Sequence, residues 1–287
     1  REDMRTDLAI EEIKHWISMN AAQELSGAQW WEEKGEDEIT VSTVRITTPE
    51  GARRLRRPQG RYTTLECPYL RDNCLDIHER IINALTKIWE DFLQPSVSGG
   101  LTLVVGLGNR FVSADALGPQ VVDQLLVTRH LPEEAIPEEF RHTLAQVAAL
   151  SPGVMGQTGV ETSEMVKALV KQLHAERVIA VDALAAGSLQ RLVTTIQICD
   201  TGIRPGAGMG NHRRELSYQT LGVPVLAVGV PTVVDIASLS EQPEGEAFYA
   251  TPKDMDEVMR RLSRMIASSL NRALHHLSPG QLKAYLY

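Results

Sequence analysis

The run Leu101-Thr102-Leu103-Val104-Val105 leads directly into Gly106-Leu107-Gly108-Asn109-Arg110-Phe111-Val112-Ser113-Ala114-Asp115-Ala116-Leu117-Gly118-Pro119. Five residues with only a threonine interrupting the apolar run, closed by a glycine, describe a strand buried on both faces. The glycines let the chain turn sharply off that strand, and the apolar positions Val121, Val122, Leu125 and Leu126 beyond it carry a helical spacing. Strand, glycine turn and helix are the opening of a βαβ unit, and Asp115 is delivered at the carboxyl end of the strand.

The same grammar recurs downstream. An amphipathic segment from about Ser163 to His174 precedes Arg177-Val178-Ile179-Ala180-Val181, a second apolar strand that ends in Val181-Asp182-Ala183-Leu184-Ala185-Ala186 and sets Asp182 at the equivalent level of the sheet. Val223-Pro224-Val225-Leu226-Ala227-Val228 gives a third, with shorter strand candidates at 146–150 and 194–199. Helices are expected over 6–25, where Thr6 or Asp7 offers an N-cap, over 76–93 and over 254–274. The last has an apolar stripe of Met255, Val258, Met259, Leu262, Met265, Ile266 and Leu270, read as core packing. The pattern predicts an α/β fold in three layers, a mainly parallel sheet with helices on both faces. The chain is read as a single domain over 1–287, with an N-terminal extension over 1–75 and the α/β core over 76–287. Within the extension, 39–44 alternates as a strand, 32–38 reads as a solvated charged stretch and 53–61 as a basic loop; 240–250 reads as a linker.

Composition narrows the partners. With 287 residues, 43% hydrophobic and 23% charged, the chain can bury a large core. Its formal charge of −8 repels nucleic acid at long range, so no direct nucleic-acid partner is expected. No apolar run approaches the roughly 20 residues that span a bilayer, and no membrane partner is expected. The cysteines Cys67, Cys74 and Cys199 make neither a zinc spacing nor an even disulfide framework, which suits a reducing cytoplasm.

If the strands ending at Asp115 and Asp182 are neighbours, two carboxylates face one cleft. Such a pair does not ionise twice easily, so one member takes a proton while the other stays anionic. That division suits hydrolysis of an amide by water without a covalent intermediate. The plain alternative is that each aspartate merely caps a helix. Gly106-Leu107-Gly108 is a poor dinucleotide fingerprint, because Phe111 stands where a third glycine belongs. The cluster Gly206-Ala207-Gly208-Met209-Gly210-Asn211 lacks the lysine of a phosphate loop. Gly106, Gly108, Asn109, Gly206, Gly208 and Gly210 are therefore the candidates to line the cleft or hold an oxyanion, with a flexible turn as the alternative for the second cluster. His212 is the side chain placed to join the aspartates as a metal ligand, against a solvated position beside Arg213 and Arg214. His275-His276 ends a helix, where cations suit the dipole.

Several stretches together resemble the spore germination protease family. They include Arg5-Thr6-Asp7-Leu8-Ala9, Gly60-Arg61-Tyr62, the 106–109 and 115–119 segments already quoted, Ser151 to Gly159, and Val181-Asp182-Ala183-Leu184-Ala185. Asp200-Thr201-Gly202-Ile203, Pro205-Gly206, Gly210-Asn211 and Val228 to Asp235 continue the match in order. The resemblance implies an endopeptidase that degrades the small acid-soluble proteins of the spore core during germination. It also implies a zymogen that processes its own N-terminus, a homotetramer, and catalytic aspartates at Asp115 and Asp182. The implied fold is similar to that of hydrogenase maturation peptidases, which keeps a metal-dependent peptidase open as an alternative, beside a non-catalytic binding module on the same fold. Because the family usually carries a basic residue at the position of His212, no metal and no cofactor are expected. The chain departs from the pattern at Ser113-Ala114, where Thr-Pro is expected, and after Leu274. Its start near Asp7-Leu8-Ala9 leaves zymogen and mature form both open, with residues 1–9 partly counted as propeptide.

Overall fold

The structure, a computed structural model, describes residues 6–19, 26–36, 38–93, 100–132, 134, 136–141, 143–206, 213–235 and 249–286. One sheet runs through them, built from Ala28–Lys34 (β1), Thr40–Ile46 (β2), Gly60–Glu66 (β3), Thr102–Gly106 (β4), Val147–Leu150 (β5), Arg177–Ala186 (β6), Thr195–Cys199 (β7), Val225–Asp235 (β8) and Tyr249–Ala250 (β9). The helices are Ala9–Met19 (α1), Pro49–Arg54 (α2), Leu75–Leu93 (α3), Leu117–Val122 (α4), Met155–Thr158 (α5), Thr162–Leu173 (α6), Tyr218–Leu221 (α7), Met255–His275 (α8) and Pro279–Leu286 (α9).

The strand order is β1-β2-β3-β7-β8-β6-β4-β5, with β9 pairing β8. The parallel sheet expected for the α/β core is the block β5-β4-β6-β8, whose three pairings are all parallel. From β8 outward through β7, β3, β2 and β1 every pairing is antiparallel. The N-terminal extension thus supplies three strands to the same sheet as the core.

Alternation along the central strands makes the layers. Val104, Ile179, Val181, Leu226 and Val228 point to one face and pack under α3, α4 and α8. Leu103, Val105, Val178, Ala180, Val225 and Ala227 point to the other, under α1, α6 and α7. The period of 2 in the strands meets the 3.6 period of α8, whose Val258, Leu262, Met265 and Ile266 stripe is fully buried as the sequence predicts. Trp89 and Leu85 of α3 are also sealed in this layer, where truncating Leu85 to alanine costs about 2–5 kcal/mol.

The structure corrects several expectations. β6 extends past the apolar run 177–181 to Ala186, with a shift of register at Leu184 and Ala185. β8 likewise runs on through Pro231, tolerated because its pairing with β7 has ended at Gly229 and its register with β6 is broken there. The charged stretch at 32–38 is in part β1, an edge strand whose exposed Glu32, Glu33 and Lys34 guard it against further pairing. The basic loop at 53–61 gives way to α2, capped by Thr48 Oγ1 on the Gly51 N–H at 3.1 Å, and then to the start of β3. Helix α1 is shorter than expected, running from Ala9 to Met19; residues 20–25 and nearly all of the 240–250 linker lie outside the described residues. His275 is not a solvated cation at a helix end. It is fully buried, donates from Nε2 to the Leu126 carbonyl at 3.0 Å, and burial holds its pKa down to about 4.

Candidate active site

Adjacent parallel strands bring the two aspartates together. Gly106 at the end of β4 stands opposite Val181 of β6, and the Leu107 N–H donates to the Val181 carbonyl at 2.8 Å. The chain therefore leaves β4 beside Asp182, the next residue along β6. Gly108 then turns with φ +106°, a conformation that side chains disfavour, and a Cβ there would lie 2.1 Å from the Asp115 carbonyl oxygen and 2.9 Å from its Oδ1. The returning loop folds Asp115 onto that bare backbone. Gly106 is bare for a related reason: a Cβ would lie 2.2 Å from the Gly118 carbonyl, so the start of α4 could not seat on β4.

Neither aspartate caps a helix. Asp115 ends a 3₁₀ turn over Ser113–Asp115, and its Oδ2 accepts the Asn109 N–H at 2.8 Å. Helix α4 starts behind Ala116, which offers no side-chain cap. Asp182 sits within a strand, and its Oδ1 accepts the Ala183 N–H at 2.9 Å. Two further bonds fix the loop: Thr232 of β8 donates to the Ala114 carbonyl at 2.6 Å, and Ser113 Oγ donates to Asp256 at the start of α8.

The electrostatics of the two carboxyls differ. Asp182 is only 4% exposed. Burial raises its pKa well above the ordinary carboxylate range, and the negative charges of Asp115 and then Asp7 raise it further. Asp115 is half-buried; burial raises it, while the Asn109 N–H and the Arg213 charge oppose the rise. Of the two, Asp182 is therefore the carboxyl that holds a proton more readily and Asp115 the one that ionises first, with Arg213 as the cation that both feel.

Asp182 and Leu184 line a cavity of about 380 Å³ whose walls also include Asp7, Tyr62, Gln197 and Gly206. Asp7 and Arg213 are the site members that sequence reasoning missed. The Asp7 Oδ2 accepts the Ala185 N–H at 2.9 Å, its own N–H donates to the Ala185 carbonyl at 3.0 Å, and Gln197 donates to its carbonyl at 3.1 Å. Glu11 reinforces the docking by accepting from Gly187 N and Ser188 Oγ at 2.8 and 2.9 Å. The segment 6–11 is thereby laid along the last residues of β6. The only sequence signal for Asp7 was its place in the Arg5 to Ala9 stretch.

Of the other candidates, Gly106, Gly108 and Asn109 come together beside the aspartates, although the Asn109 N–H is already given to Asp115 and is not available to an oxyanion. Gly206 joins the cavity wall. Gly208, Gly210 and His212 lie outside the described residues. Among the described residues, no helix is long and apolar enough to cross a membrane.

A family model described as germination protease matches residues 5–243. Proteins named germination protease from Caldanaerobacter subterraneus subsp. tengcongensis and Clostridium perfringens are 38% and 35% identical, over 94% and 95% of both chains respectively. That of Bacillus subtilis is 44% identical over 83% of this chain and 65% of its own. The chain, whose loop after β4 sets Asp115 against Asp182 of β6, belongs to the germination protease family, a family of peptidases.

Proposed function

We propose that the chain is an aspartic-type endopeptidase of the spore core that degrades small acid-soluble spore proteins during germination, using water activated between Asp115 and Asp182. The observation that carries this reading is the unequal pair: a carboxyl buried within β6, whose pKa is raised by burial and by its neighbour's charge, beside one held by a backbone N–H. Asp115, as the anion, takes a proton from water as the water attacks the scissile carbonyl. Asp182, as the acid, stabilises the developing oxyanion and then protonates the departing nitrogen. Acid-base help of this kind contributes about 10²–10⁴ per group, so the remainder falls to orientation of an extended backbone in the cleft. An unfolded or loosely folded substrate satisfies that requirement and a compact one does not.

The same reading includes zymogen control and assembly as a homotetramer. Supporting the first, residues 6–11 are bonded along β6 next to Asp182, and Asp7 brings a further carboxylate against the pair. A segment so placed restricts the cleft until it is cut or displaced. Tetramer formation rests on the family alone.

The test is a single-turnover cleavage assay on a small acid-soluble spore protein. The parent is compared with Asp115→Asn and Asp182→Asn at matched folding and processing state, with and without a tight chelator. Loss of cleavage in both variants with no chelator effect supports the two-carboxylate reaction. Full activity in either variant reduces that carboxylate to a structural role, and chelator inhibition reversed by zinc replaces the mechanism with a metal-dependent one.

A further inference from the structure

Four apolar side chains stand exposed on the two loops that rim the aspartates. In the β4 loop Phe111 is 81% exposed and Val112 48%; after β5, Met155 is 47% and Val160 40% exposed. Single exposed apolar residues are ordinary on any surface, but a group of them beside a polar site is the usual mark of a binding surface.

Asn109 ties this group to the carboxyls. Its N–H donates to Asp115, while its Oδ1 accepts both the Phe111 N–H and the Gln157 Nε2 at 3.1 Å. One residue, through its backbone N–H and its side-chain oxygen, thus holds the Phe111 turn, the Met155 turn and the candidate nucleophile-activating carboxylate in a fixed relation. The turn is closed again by the Val112 N–H on the Asn109 carbonyl at 3.0 Å, so the phenyl ring is presented on an ordered support. The neighbouring cation, Arg110, is engaged with Asp123 at 3.4 Å. What remains for a ligand is apolar contact.

We propose that Phe111 and Met155 form an apolar subsite that grips a hydrophobic side chain of the substrate next to the scissile bond, and so determine part of the cleavage preference. The proposal rests on the peptidase reading of Asp115 and Asp182. The occupant is an extended peptide because the patch continues directly from the loop that holds Asp115. An ordered apolar platform removes little chain freedom on binding, and its contribution is read in which sequences are cut.

The test compares kcat/KM for two disordered peptides of equal length and charge. One keeps the apolar residues flanking the bond that the enzyme cuts, as found by mass spectrometry of the products, and the other has serine in their place. The parent prefers the apolar peptide by about tenfold or more. In Phe111→Ser and Met155→Ser that ratio falls toward unity, and in Phe111→Leu it is largely restored, with thermal unfolding confirming a folded chain throughout. A ratio unchanged in both serine variants overturns the proposal. A fall in molar mass by light scattering with an unchanged ratio also overturns it, and assigns the patch to contact between copies of the chain. Asp115→Asn and Asp182→Asn are run on the same peptides. If they cut fully, the underlying site reading fails; if they do not cut while the Phe111→Ser ratio is unchanged, only the subsite fails.

Discussion

The Oδ2 of Asp115 accepts the N–H of Asn109 at 2.8 Å, so the carboxylate closes the very loop that carries it. An asparagine at position 115 keeps an oxygen acceptor for that bond, whereas alanine leaves the Asn109 N–H without its partner. Asp115→Asn is therefore expected to unfold within about 0.5 kcal/mol of the parent, and Asp115→Ala about 1–2 kcal/mol below it, by urea titration. Both are expected to lose cleavage by 100-fold or more. Equal stability of the two variants would show that the bond does not organise the loop.

Asp182 bears on stability mainly through its buried charge. Burial and the charges of Asp115 and Asp7 raise its folded pKa above the unfolded value near 4. A raised acid stabilises the fold fully only below the unfolded pKa, and that contribution is lost as pH rises toward the folded value. Asp182→Asn is accordingly expected to melt higher than the parent near neutral pH, with the gap closing below about pH 4. Differential scanning at the two pH values checks it; a variant less stable than the parent at neutral pH contradicts the protonated assignment.

The strands that hold the aspartates were legible because β4, β6 and β8 are buried on both faces and so are nearly unbroken apolar runs. β1 was not, since it is exposed almost throughout and so lacks a buried apolar alternation, and its end, Glu32 to Lys34, belongs to the charged stretch. The Asp115 and Asp182 pair followed from the rule that sites gather at the carboxyl ends of parallel strands. Asp7 did not, because its partner Ala185 lies 178 residues along the chain and nothing local distinguishes it from a cap. Arg213 escaped for the same reason: its influence on both carboxyls exists only in three dimensions.

Ser113 opens the turn that ends in Asp115, and its hydroxyl donates to Asp256 at the start of α8. The bond anchors that turn, so under the proposed mechanism Ser113 is a positioning residue. Ser113→Ala is expected to lower kcat roughly tenfold with little change in KM, and Ser113→Thr to restore it. A loss confined to KM would place Ser113 in substrate binding instead.

His275 gives the fold an acid limit away from the site. Its Nε2 donates to the Leu126 carbonyl, its Nδ1 is buried without a partner, and Asn271 one turn earlier accepts the Leu126 N–H at 2.9 Å. Together they clamp the chain between α4 and β5 to α8. Because the folded pKa is about 4 against about 6.5 unfolded, the neutral ring stabilises the fold fully above about pH 6.5. That contribution is lost as pH falls toward 4, since the unfolded chain binds the proton first. The parent is expected to lose about 2 kcal/mol from this group between pH 7 and pH 5, and His275→Gln, which does not titrate, to lose correspondingly less. Urea unfolding of both proteins at the two pH values decides it; parallel losses would mean that another group sets the acid sensitivity.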